Sequence, residues 1–215
     1  MFNTLVDAVT LHAWRDHPGW VAIDCRHSLA DFGAGRRLYE QAHIPGAYFA
    51  DVESDLSGPK TGTNGRHPLP DPEAFAAYLR AIGVDDDTQI VAYDAGGDMF
   101  AARLWLLCRW IGHDAVAVLD GGIEAWKAAG YPLTSEVSAA RSLGNLHVRL
   151  RPELVVDASF VLSHLDDATV RIVDARGADR FAGENETVDP VAGHIPGARN
   201  RPFKENFDGM QFKSR

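Results

Sequence analysis

An α/β fold, with a mainly parallel sheet flanked by helices on both faces, is predicted by three observations. Short apolar runs alternate with amphipathic helical patterns, the runs close on polar residues, and the pattern starts again 150 residues downstream. In chain order, Val21, Ala22 and Ile23 closing on Asp24 read as a buried parallel strand. Residues 53–70 form a long polar loop with repeated Gly and Pro, a length at which loops are often functional. Asp71 then offers an N-cap and Pro72 an N1 proline. Phe75, Tyr78, Leu79 and Ile82 recur at helical spacing and Gly83 follows, so the spacing predicts a helix between Asp71 and Gly83. Residues 89–93 are the next strand, and Phe100, Leu104, Leu107, Cys108 and Ile111 line one face of the next helix. Residues 115–119 form a third run, after which Gly121 and Gly122 open a helix through Ile123 and Trp126 toward Gly130. Residues 134–150, rich in Ser, Ala and Arg, have no strong period and read as a linker.

The restart is an internal repeat. Residues 5–26 align without gaps on residues 155–176, so that Asp7 falls on Asp157, and Asp24 and Arg26 fall on Asp174 and Arg176. The pentapeptide from His43 to Ala47, HIPGA, recurs from His194 to Ala198. Such a long period is not that of a solenoid. It predicts an N-terminal domain over residues 1–133, a linker over 134–150, and the first part of a second domain over 151–215.

Composition sets the class. With 46% hydrophobic and 24% charged residues, the 215-residue chain has the make-up of a globular protein. A formal net charge of −9 without a basic stripe excludes nucleic acid as a leading partner. There is no membrane-length apolar run, and the N-terminus lacks the basic-then-apolar order of a signal peptide, which leads to the expectation of a cytoplasmic protein without membrane partners. Two cysteines, Cys25 and Cys108, are too few for a disulfide framework. Nine histidines lack His/Cys ligand spacing, so neither a metal nor another cofactor is expected.

In this order, Asp24-x-Arg26, the HIPGA segment at His43, Asp120-Gly121-Gly122 with Trp126, Asp174-x-Arg176 and the second HIPGA at His194 resemble the rhodanese family. The form resembled is the tandem-domain one of the thiosulfate and 3-mercaptopyruvate sulfurtransferases, and the segment from Gly65 to Pro70 is similar to a first-domain loop of that form. The resemblance spans nearly the whole chain. It implies a rhodanese-like parallel sheet flanked by helices, duplicated, with the second copy incomplete. It also implies transfer of a sulfane sulfur from thiosulfate or 3-mercaptopyruvate, through a cysteine persulfide, to cyanide or a thiol. The partners are then a small anionic sulfur donor and a nucleophilic acceptor; the oligomeric state is left open.

That chemistry needs a thiolate in the loop after a central strand, where backbone N–H groups and a helix start converge. In the first copy this loop runs from Asp94 to Phe100, and Asp94 stands at the nucleophile's place; the first domain is expected to be catalytically silent. At the repeat offset the second-copy loop falls near position 244, past Arg215, so the chain alone is expected to be inactive, and residues 151–215 to be loosely held or to rest on the first domain. A non-catalytic binding or regulatory module is the competing reading, and phosphatase chemistry on a related fold meets the same missing thiol.

Cys25 is matched by Ala175 in the repeat and Cys108 sits on an apolar helix face, so neither is expected to be catalytic. The Asp24/Arg26 and Asp174/Arg176 pairs read as scaffold ion pairs, and His43 and His194 as turn-binding histidines rather than metal ligands. The resemblance implies a substrate-binding role for Arg180, and for Asp51 and His67 a place facing the substrate. For these last two, an ordinary loop aspartate and a histidine held by Arg66 or Pro68 is an equal alternative. Family members using mercaptopyruvate carry a further arginine before the second HIPG; residues 181–193 contain none, which favours thiosulfate, although Arg199 and Arg201 lie just beyond.

Overall fold

The computed structural model describes residues 1–214, in two compact units, the first Met1–Arg151 and the second starting at Pro152. The first unit runs β1 (Leu5–Val6), α1 (Ala8–Trp14), β2 (Trp20–Asp24), α2 (Ala34–Gln41), β3 (Tyr48–Phe49), α3 (Pro72–Ala81), β4 (Gln89–Tyr93), α4 (Phe100–Trp110), β5 (Val116–Leu119) and α5 (Gly122–Ala128). The five strands form one parallel sheet in the order β1-β5-β4-β2-β3. β2, β4 and β5 are buried along their whole length, which is why they appear in the sequence as continuous apolar runs rather than alternating ones. Val91, Tyr93, Ala117 and Leu119 pack with Leu11 of α1 and with Ile123 and Trp126 of α5. Strand alternation turns Ile90, Ala92, Val116 and Val118 to the other side, and α4 packs on β4 and β5 there.

The third helix shows how local chemistry sets its ends. Asp71 accepts hydrogen bonds from the N–H groups of Glu73 and Ala74 at 3.0 and 2.9 Å, and Pro72 fills the first helical position, where no N–H is needed. Gly83, at φ +81°, takes the left-handed conformation that ends the helix.

Residues 134–151, without any periodicity, are tied along the first unit by backbone and side-chain bonds. His43 and Thr134 exchange backbone bonds at 2.8 and 2.9 Å, and Ser138 Oγ donates to the Ala47 carbonyl at 2.6 Å. Farther along, Arg141 donates to the Pro18 and Trp20 carbonyls, Leu146 is buried, and Arg151 forks onto Asp114. Asp86 receives the backbone N–H of His147 at 2.8 Å and the Arg149 guanidinium at 2.8 Å; led by the His147 bonds, these hold its carboxyl down to about 2. A carboxyl lowered on folding contributes stability above its unfolded value of 3.8 that is lost as pH falls through about 2. Asp86→Asn is therefore expected to flatten the acid limb of the stability profile between those two values, read by denaturant unfolding at stepped pH. An unaltered slope would mean that this tie adds nothing.

The second unit has a 3-10 turn at Pro152–Leu154, then α6 (Ala158–Ser163), β6 (Val173–Asp174), α7 (Ala178–Ala182) and β7 (Arg199–Asn200), with β6 parallel to β7. A second 3-10 turn, Phe203–Asn206, leads to an antiparallel pair, β8 (Phe207–Asp208) and β9 (Gln211–Phe212). Among its described residues none is buried. Its hydrogen bonding nevertheless matches the first unit's. Asp157 caps α6 through Phe160 N–H at 2.7 Å, as Asp7 caps α1 through Thr10 N–H at 2.7 Å.

Candidate functional site

In a parallel sheet, loops at the C-terminal strand ends meet where neighbouring strands diverge, and ligands bind there. Here β2 lies between β3 and β4, so the loops after these three strands share one edge. The loop after β4 begins at Asp94, which is 4% exposed. Its carboxylate accepts from Gly96 N–H at 2.9 Å and Ala101 N–H at 3.0 Å, and its carbonyl accepts from Ile123 N–H at 2.9 Å. Burial raises the Asp94 pKa even against those two backbone donors. Gly122, at φ +57°, closes the loop from the other side: a Cβ there would lie 2.5 Å from both the Asp94 carbonyl oxygen and the Gly96 nitrogen. The backbone cradle is thus filled by the protein's own carboxylate.

Cys25 and Cys108 are both fully buried. Burial pushes both thiols up, and at Cys25 the neighbouring Asp24 and Asp94 carboxylates push further. A thiol so placed is not a thiolate at neutral pH.

The loops after β2 and β3 bring together residues far apart in sequence. His67 Nε2 hydrogen-bonds Glu53 Oε1, whose other oxygen receives Lys60 Nζ at 2.7 Å. Burial pushes the Glu53 carboxyl up, but the Lys60 and His67 bonds outweigh it and hold it below its ordinary value. His27 Nε2 stands 3.8 Å from the same Oε1, its ring edge-on to Phe100 and stacked on Phe32. Asp51 lies in the loop after β3. Its carboxylate accepts the Glu53 N–H at 2.9 Å, shaping the turn that carries Glu53, and lies 3.9 Å from Arg36. Arg103 of α4 ties the loop down by donating to Leu56, His67 and Pro68 carbonyls and to Ser57 Oγ, at 2.9 to 3.1 Å. Glu53 and His27 were absent from the sequence-derived candidates; the available hints were that Glu53 lies two residues beyond Asp51 and that His27 follows the Asp24-x-Arg26 motif directly.

The two Asp-x-Arg pairs have the same geometry. Arg26 donates from its backbone N–H and Nε to Asp24 at 2.9 and 3.0 Å, and from a terminal nitrogen to Asp24 at 2.6 Å and to the Ala42 carbonyl at 2.7 Å. Arg176 does so to Asp174 at 2.9, 3.0 and 2.6 Å and to the Gly193 carbonyl at 2.6 Å. Each guanidinium therefore anchors the residue just before a HIPGA turn. Within that turn, His43 Nδ1 bonds the Tyr39 carbonyl and stacks on Tyr39, while His194 Nδ1 bonds the Phe181 carbonyl and stacks on Phe181. Arg180, on α7, donates to Glu186 at 2.9 Å and to Asp189 at 2.7 Å. The Arg180 bond, followed by the Asp189 N–H, holds Glu186 down to about 2.

A parallel sheet with a glycine-rich loop closed onto a helix start, and an arginine-anchored HIPGA turn beside it, defines a class of α/β domains with their site loops at the C-terminal strand edge. The chain belongs to the rhodanese family: the Rhodanese-like domain model matches residues 7–129. Over 205 residues it is 46% identical to a Pseudomonas aeruginosa protein named "Probable 3-mercaptopyruvate sulfurtransferase", covering 94% of this chain and 72% of that one. It is 37% identical over 171 residues to the 3-mercaptopyruvate sulfurtransferase of Escherichia coli, covering 78% of this chain and 59% of that protein. The crystal structure of SseA from Escherichia coli, described under the rhodanese fold of 3-mercaptopyruvate sulfotransferases, superposes with a TM-score of 0.86 at 33% identity. That match covers 98% of this chain and 79% of the other. The chain spans 56% of a further relative, the Arabidopsis thaliana thiosulfate/3-mercaptopyruvate sulfurtransferase 2, at 37% identity.

Proposed function

We propose that the chain takes part in sulfur transfer from a small anionic donor, thiosulfate in preference to 3-mercaptopyruvate, to cyanide or a thiol, binding the donor without itself supplying the thiolate. In that reaction a cysteine thiolate attacks the outer sulfur of thiosulfate, sulfite leaves with the electron pair of the broken S–S bond, and a persulfide remains. Cyanide then attacks the persulfide's outer sulfur, giving thiocyanate and restoring the thiolate. The relatives' names support the activity class, and the absence of arginine from residues 181–193 supports thiosulfate.

Arg180 is the donor-anchoring residue in this reading, and its grip on two carboxylates is the observation that carries it. A guanidinium fork already matched to oxyanions needs only to exchange Glu186 and Asp189 for a donor anion. His67, aligned by Glu53, serves substrate orientation or proton transfer, and Asp51 contributes by holding the turn of Glu53. The nucleophile is neither Cys25 nor Cys108, because both are buried and protonated, nor does the Asp94 loop supply one.

The 215-residue chain is therefore expected to form no thiocyanate from thiosulfate and cyanide above the uncatalysed rate, measured colorimetrically; enzymatic turnover would overturn that reading. In calorimetric titration, thiosulfate is expected to bind about 10-fold more weakly to Arg180→Ala, a loss of about 1.4 kcal/mol. The second reading, a non-catalytic binding module, is favoured by the same buried thiols and by the cradle filled by Asp94. It predicts no thiosulfate binding to either chain.

A further inference from the structure

We propose that His27, Glu53 and His67 form a binding site for one divalent transition-metal ion of the zinc type, built entirely within the first unit; it shares His67 and Glu53 with the sulfur-transfer reading but does not rest on it. Each of the three offers one donor atom, and the three donors lie within 4.8 Å of one another. Two imidazole nitrogens and one carboxylate oxygen are a zinc donor set; at metal–ligand bonds of about 2.0 to 2.1 Å, tetrahedral ligand atoms stand ~3.3 Å apart. His27 Nε2, 3.8 Å from Glu53 Oε1, needs to move by well under 1 Å to reach that spacing.

The orphaned nitrogen of His27 points to a ligand. Its side chain is only 2% exposed, and its Nε2 is buried without a hydrogen-bond partner. A buried polar atom left unpaired costs free energy, so native structures rarely keep one without a use. Phe32 and Phe100 clamp the ring, so the nitrogen is already aimed toward Glu53. The other two ligands sit on one loop that Arg103 fixes at four oxygen atoms. Preorganisation of this kind distinguishes a built site from a chance cluster of exposed side chains.

Coordination exchanges one bond for another. His67 Nε2 hydrogen-bonds Glu53 Oε1; to ligate, the imidazole carries its proton on Nδ1 instead, and the metal takes the place of the shared hydrogen. Lys60 Nζ stays on Glu53 Oε2, leaving Oε1 as a monodentate ligand. Its positive charge opposes a cation, but Lys60 is 45% exposed on a flexible stem, while Asp51 and Asp98 add negative charge that bears on His27. His67 and Glu53 are 17% and 21% exposed, so the fourth coordination position opens to water.

The test uses the full 215-residue chain after chelator treatment, titrated with Zn2+ in a calorimeter and with Co2+ followed by visible absorption. Expected are one ion per chain, the intense d–d bands of low-coordinate cobalt, and a zinc-dependent rise in the unfolding temperature. His27→Gln and His67→Gln should each weaken binding by about 100-fold, while His147→Gln, at an exposed histidine elsewhere, leaves it unchanged. Native-like tryptophan fluorescence checks that each variant folds, and Glu53→Gln replaces any variant that does not. Binding undiminished in His27→Gln, loss in His147→Gln, or only the faint spectrum of hexaaqua cobalt would overturn the proposal.

Discussion

Asp24→Ala is expected to cost about 3 to 5 kcal/mol of unfolding free energy, whereas the same change at its repeat partner, Asp174→Ala, should cost about 1 kcal/mol or less. The two ion pairs are nearly superimposable in their hydrogen bonds, so the difference comes from burial. The side chains of Asp24 and Arg26 are 0% and 8% exposed, and removing the carboxylate strands a guanidinium in the interior that keeps the Ala42 carbonyl but loses its counter-charge. Those of Asp174 and Arg176 are 15% and 28% exposed, and Glu186 stands 3.6 Å from Arg176 as a substitute partner. All five tryptophans lie in the first unit, so tryptophan fluorescence during denaturant unfolding isolates the Asp24 effect. Amide hydrogen exchange of residues 172–201 reads the Asp174 effect. Equal losses at the two sites would show that pair geometry, not desolvation, sets the energy.

A second large effect concerns the thiols. Cys25 and Cys108 are expected to react with iodoacetamide at least ~1000-fold more slowly in the folded chain than after denaturation, because alkylation has to wait for opening of the core that encloses both. Burial raises both thiols, and the two carboxylates beside Cys25 reinforce the effect there. Mass mapping of the labelled peptides after timed exposure at constant pH gives the two rates separately. A native-state rate at either cysteine close to that of an unfolded thiol would make it a candidate nucleophile and overturn the expectation that this chain does not turn over.

Much of the first unit is legible in the sequence because its signals are local. Apolar runs ending in Asp24 and Tyr93 mark central strands, and Asp71-Pro72 with Gly83 marks both ends of a helix, since caps and turns depend only on neighbours along the chain. The Asp-x-Arg and HIPGA motifs are also short-range units, which is why their recurrence exposed the repeat. Two features stayed hidden. Residues 134–151 carry no periodic pattern because they hold on through scattered hydrogen bonds, ion pairs and the buried Leu146, for which the sequence has no repeating signature. Asp51 and His67 were each read as facing the substrate, but a turn sends the Asp51 oxygens to the Glu53 N–H and toward Arg36, and the carboxylate on His67 is that of Glu53.

The sequence by itself determined the α/β class, the main strands and helices of the first unit, and the recurrence of the Asp-x-Arg and HIPGA motifs, since each is written in spacing along the chain. The grouping of His27, Glu53 and His67, and the unequal burial of two matching ion pairs, came from the three-dimensional arrangement. Strand order places the loops after β2, β3 and β4 on one sheet edge, and only a packed core removes water from Asp24 while leaving it beside Asp174. Hydrogen-bond geometry repeats with the motif, but desolvation depends on everything that surrounds it.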